Sequence, residues 1–163
     1  MSFDPRSVAI ATITYFPKWY KGTLKSIRHT DKIRGDLALE SCKSAVRFGY
    51  QMVMVNGRSS KTFTKELLGI KGIVVVGRRG KKRSPGKRIG IKIASKLPGI
   101  KVIVISEAEK VSIIADCIPQ IIEPIINGSA DVVVPKREQS LFKSTYPEYM
   151  IESEMEGNKI YNE

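Results

Sequence analysis

The sequence predicts an α/β fold: a three-layer α/β/α sandwich around a mostly parallel central sheet. Two observations predict it. Short apolar segments alternate with helix-length amphipathic ones along the chain. The short segments are also apolar at nearly every residue rather than at every second one, as strands are when both faces are buried. Right-handed crossovers then bring the C-terminal ends of the strands to one edge, and in such sheets ligands bind outside that edge.

Each element follows in order. Val8 to Tyr15 is short, apolar and rich in β-branched residues, and is ended by Phe16-Pro17, so it reads as a buried strand. Asp31 is placed to cap a helix running to about Phe48, with Ile33, Leu37, Ala38, Cys42, Ala45 and Val46 at helical spacing and Gly49 as terminator. Gln51 to Val55 is the second strand, followed by the turn Asn56-Gly57-Arg58-Ser59. Ser60 caps a short helix through Leu68, which Gly69 closes. Gly72 to Gly77 is the third strand. Lys87 to Leu97 is a helix with Ile89, Ile93, Ala94 and Leu97 on one face, stopped by Pro98-Gly99. Lys101 to Ile105 is the fourth strand. Val111 to Asn127 is helical in part, interrupted at Pro119 and Pro124, and Asp131 to Val134 is expected as a fifth strand. Residues 138–163 form a polar tail, helical from about Tyr146. With no internal repeat or linker-like stretch, residues 1–163 read as a single domain.

Composition narrows the function classes. The 163 residues carry 28 Lys+Arg against 16 Asp+Glu, a formal charge of +12, with 42% hydrophobic residues. That is the balance of a folded globular chain. The longest apolar runs, such as Ile73 to Val76, are too short to span a bilayer. Cys42 and Cys117 lack the spacing of a zinc site or disulfide scaffold, and the first residues do not read as a secretory signal. A cytoplasmic protein is expected. Seven of the cations fall within Arg78 to Arg88, a stretch with no acid, leaving +5 for the rest of the chain. Such a loop at a strand end suits phosphate oxygens.

Several motifs fail. Gly80 to Arg88 is spaced wrongly for a phosphate-binding P-loop, and Arg88 stands where a Ser or Thr must hold magnesium. No Gly-x-Gly-x-x-Gly follows the first strand, no Gly-x-Ser-x-Gly elbow is present, and His29, the lone histidine, has no nucleophile in a known motif. What remains is Ser106-Glu107-Ala108-Glu109 at the end of the fourth strand. Two carboxylates two residues apart can approach one magnesium or manganese ion, which would bridge to phosphates beside the basic loop.

The order of these features resembles the nucleotide-binding half of a GT-A type glycosyltransferase of the family 2 kind, over about residues 7 to 137. The residues that carry the resemblance are the strand Val8 to Tyr15, the turn Val55-Asn56-Gly57-Arg58-Ser59-Ser60, the segment Gly86 to Ala94, Glu107-Ala108-Glu109 where that family has Asp-x-Asp, and Ile118 to Arg137. The resemblance implies transfer of a sugar from a nucleotide-diphosphate donor to an unknown acceptor. It implies that Ala11, Thr12 and Tyr15 border the base and ribose, with Asn56 where the family has an acid. Lys87 and Arg88 would contact the nucleotide, and Glu107 and Glu109 would hold the divalent metal. Some 29 residues follow Val134, too few for a full acceptor lobe, so Glu152 or Glu154 is the expected source of a catalytic carboxylate and a homo-oligomeric site is one way to complete it. The alternatives are a sugar-phosphate nucleotidyltransferase, disfavoured because Phe16 to Tyr20 stands where its glycine loop belongs, and a non-catalytic nucleotide- or nucleic-acid-binding module.

Overall fold

The computed structural model describes residues 3–78, 83–136 and 138–162. The described residues fall into two units, Met1–Asp131 and Val132–Glu163. The first is an α/β unit built on strands β1 (Val8–Thr14), β2 (Gln51–Asn56), β3 (Ile73–Gly77) and β4 (Val102–Ile105) and helices α1 (Thr30–Arg47), α2 (Lys61–Leu68), α3 (Arg83–Ala94) and α4 (Ile118–Ile126). The strands lie in the order β3-β2-β1-β4 and every pairing is parallel.

The continuous apolar strands explain this arrangement. Val8 and Ile10 of β1 and Met52 and Met54 of β2 face one side, where they pack with Ala38, Cys42 and Ala45 of α1, Phe63 and Leu67 of α2, and Ile118 and Ile122 of α4. Ala9, Ala11 and Val53 face the other side and pack against Ala94 of α3. Helices therefore cover both faces, and the β1 face under α3 carries Ala9 and Ala11, with Ile13 against Gly86. Fully burying a side chain such as Phe63 or Leu67 contributes about 1.5–3 kcal/mol, so the apolar stripe of α2 holds that short helix in place.

Local signals set the ends. Ser60 caps α2, its Oγ accepting a hydrogen bond from the Phe63 N–H at 3.1 Å. Gly49, at φ +81, supplies the left-handed turn after α1. Asp31 does not cap α1. His29 occupies that position without a side-chain bond to the helix N–H groups, and the Asp31 carboxylate accepts from the Lys18 backbone N–H at 2.8 Å. The two prolines mark an irregular helix as expected: a wide, π-type stretch, Ile113–Cys117, precedes α4, which carries Pro124 inside it.

The expected fifth strand is not formed. Asp131 to Val134 carries no regular structure, and Val132 and Val134 are 76% and 85% exposed. The second unit consists of α5 (Gln139–Thr145) and α6 (Glu148–Asn162), which agrees with the predicted helical tail. Among the described residues, no helix is long and apolar enough to cross a membrane.

Candidate functional site

In a sheet ordered β3-β2-β1-β4 the chain runs outward from β1 to one edge and then returns to β1's other side. The crossover connections on either side of β1 therefore part between the ends of β1 and β4. A cleft of about 570 Å³ lies there. Its lining includes Ile13, Thr14 and Tyr15 from the end of β1 and Ile105 to Glu109 from the end of β4.

The Glu-Ala-Glu sequence acquires a geometric reason. Ala108 is buried, and the carboxylates on either side of it both line the cleft. Glu109 is held: Arg34 of α1 donates to its Oε1 through Nε at 2.6 Å and through Nη2, closing an ion pair across the cleft. The Arg34 guanidinium also lies over the Phe16 ring, 5.6 Å from its centroid. The Glu107 side chain makes no hydrogen bond or ion pair among the described residues.

Arg78, just past β3, also lines the cleft. Two glycines make room for it. A Cβ at Gly57 would come 3.4 Å from Arg78 Nη2, and one at Gly86 would come 3.3 Å from Nε. Gly57 belongs to the turn after β2, and its N–H donates to the Thr14 carbonyl at 2.8 Å. Lys87 of α3 and Asp31 of α1 complete the charged lining, so three cations face three carboxylates. The sequence marks Asp31 only as a helix cap and Arg78 only as part of the basic loop, and does not mark Arg34 at all. Arg34 lies in a helix 75 positions from its partner, and Arg78 is one cation in a run of seven.

The residues expected from the sequence divide three ways. Tyr15, Lys87, Glu107 and Glu109 line one cleft. Ala11 and Thr12 are buried in β1 beneath it, with Ala11 in the core under α3. Asn56 is buried too and is occupied structurally: its Oδ1 accepts from Thr14 Oγ1 at 3.1 Å and its Nδ2 donates to Thr64 Oγ1 at 3.0 Å, tying β1, β2 and α2 together. Arg88 is exposed on α3 and is not part of the lining. Glu152 and Glu154 lie on α6 of the second unit. The centre of the basic loop, residues 79–82, lies outside the described residues.

No protein-family model matches the chain, and no curated protein or solved structure matches it. The chemistry of the cleft rests on its own residues.

Those residues suit an anionic ligand. Arg78 and Lys87 carry charge at the strand ends, where guanidinium and ammonium groups meet phosphate oxygens. Among the described residues no three His, Cys, Asp or Glu side chains are grouped to hold a metal. Magnesium, however, is usually held by one or two carboxylates, with substrate phosphates and waters completing its shell. Glu107 and Glu109 are the two carboxylates that the β4 end gives to the cleft, and Glu109 is paired with Arg34.

Proposed function

We propose that the protein binds a nucleotide-diphosphate sugar and transfers the sugar to an acceptor hydroxyl. The cleft between the ends of β1 and β4 carries this reading, because cations and a Glu-Ala-Glu pair share it. The nucleotide would lie along the strand ends, with Tyr15 at its base or ribose. Lys87 and Arg78 would bind the diphosphate and hold its charge as it departs. Glu107 and Glu109 would hold a magnesium or manganese ion, which would supply further positive charge to the leaving group. The acceptor hydroxyl must lose a proton to a carboxylate base.

Calorimetric titration with uridine- and guanosine-diphosphate sugars, each with and without manganese, tests the donor site. Binding is expected, strengthened by manganese and weakened at least about tenfold by Lys87→Gln, the loss of one charge-assisted contact. Absence of binding under every condition would refute the reading.

A further inference from the structure

The segment between β1 and α1 is a built loop with an outward face that the cleft does not use. Its anchor is Trp19, which is 5% exposed, packs edge-on to Phe63 with centroids 5.5 Å apart, and donates from Nε1 to Asp36 Oδ1 at 3.0 Å. Lys32 is buried beside it, 5.0 Å from the Trp19 centroid and 2.7 Å from Asp36. The loop then closes on Tyr20. The Tyr20 hydroxyl meets His29 Nδ1 at 2.8 Å and accepts from the Lys25 N–H at 3.1 Å. Gly22, at φ +104, turns the chain at the tip.

What this scaffold presents outward is apolar and cationic together. Leu24 is 47% exposed and Ile27 is 84% exposed. Lys18, Lys21, Lys25 and Arg28 of the same segment are all exposed too, and residues 15–30 contain no acid. Two neighbouring carboxylates offset part of this charge: Glu66 pairs with Lys21 at 2.8 Å, and Asp31 holds the Lys18 N–H.

We propose that this loop docks the protein on an anionic lipid bilayer, with Ile27 and Leu24 entering the interface and Lys18, Lys25 and Arg28 facing the headgroups. Peripheral attachment of useful strength takes two signals acting together, apolar insertion and basic charge. The loop carries both on a framework that is ordered before binding. Exposed aliphatic side chains have no part in gripping a nucleic-acid backbone, so cations that share one loop with exposed Leu24 and Ile27 favour a bilayer over RNA. The inference does not depend on what the cleft binds.

Vesicle co-sedimentation of the full chain provides the test, using phosphatidylcholine alone and phosphatidylcholine with about 30% phosphatidylserine. Binding is expected only to the anionic vesicles and should vanish near 1 M salt, where charges more than about 3 Å apart are screened. Each cation adds about fivefold to such partitioning, so Lys25→Gln with Arg28→Gln should weaken it about 25-fold. Leu24→Ser with Ile27→Ser should weaken it at least about tenfold. In a second measurement, the Ile27→Trp variant should show a blue-shifted emission component with anionic vesicles and none with neutral ones. Three results would overturn the proposal: no preference for anionic vesicles, binding unchanged by the serine pair, or binding to single-stranded RNA with none to vesicles.

Discussion

Arg34 decides how the carboxylates of the cleft behave. Its pairing with Glu109 puts a guanidinium where a metal would otherwise meet that carboxylate. Arg34→Gln should therefore raise the affinity for manganese several-fold, read by the loss of the free-ion electron paramagnetic signal, and Glu109→Gln should lower it. No change in either variant would separate Glu109 from metal binding. Gly35, the next residue, is tested by stability. A Cβ there would come 2.3 Å from Cδ1 of the buried Trp19 ring. Gly35→Ala should cost about 1–3 kcal/mol by overpacking, measured by urea unfolding. At this scale the cleft was half legible in the sequence. Glu107, Glu109 and Tyr15 stand just past strand ends and Lys87 in the helix after the basic loop, where local pattern marks them. Arg34 gains its role only when α1 is laid over the β4 end, and Asn56 is consumed by two hydrogen bonds that no spacing announces.

Elements were read well wherever burial and capping agreed. β1 and β2 have two-sided burial and α2 a Ser cap to define them, the half-buried edge strands β3 and β4 have apolar runs, and all their observed limits lie close to the expected ones. Asp131 to Val134 shows the converse. Its valines have strand propensity, but propensity records fit to a pleated, half-buried surface, and Val132 and Val134 have no such surface. Helix α5 carries a testable cap. Glu138 accepts from Ser140 Oγ at 2.6 Å and from the backbone N–H groups of Leu141 and Ser140. The Ser140 hydroxyl, then these N–H groups, hold its carboxyl below the ordinary glutamate value. A depressed folded-state value means that the cap's contribution is complete above the ordinary value and is lost as pH falls through the lowered one. Amide resonances of Ser140 and Leu141 should move together in that acid range, and Glu138→Gln should remove the transition.

For the whole molecule, the second unit starts with largely exposed chain without regular structure, Val132 to Lys136. Limited trypsin digestion should cut at Lys136 before it cuts within residues 18–28. The exposed Lys21 and Lys25 should resist longer, because Trp19 and Tyr20 fasten their loop. An initial cut inside residues 18–28 would contradict the ordered loop on which bilayer docking depends. The parallel topology also has a consequence for synthesis. Strand β1 is made before β2, β3 and β4, and its Val8 pairs with Val102 on the side facing β4. At about 5–20 residues per second a ribosome takes several seconds to cover that separation. Throughout that interval the nascent chain holds an aliphatic ribbon with one flank unmatched. Chaperone capture of ribosome-bound chains should therefore peak after β2 emerges and fall once Ile105 is clear.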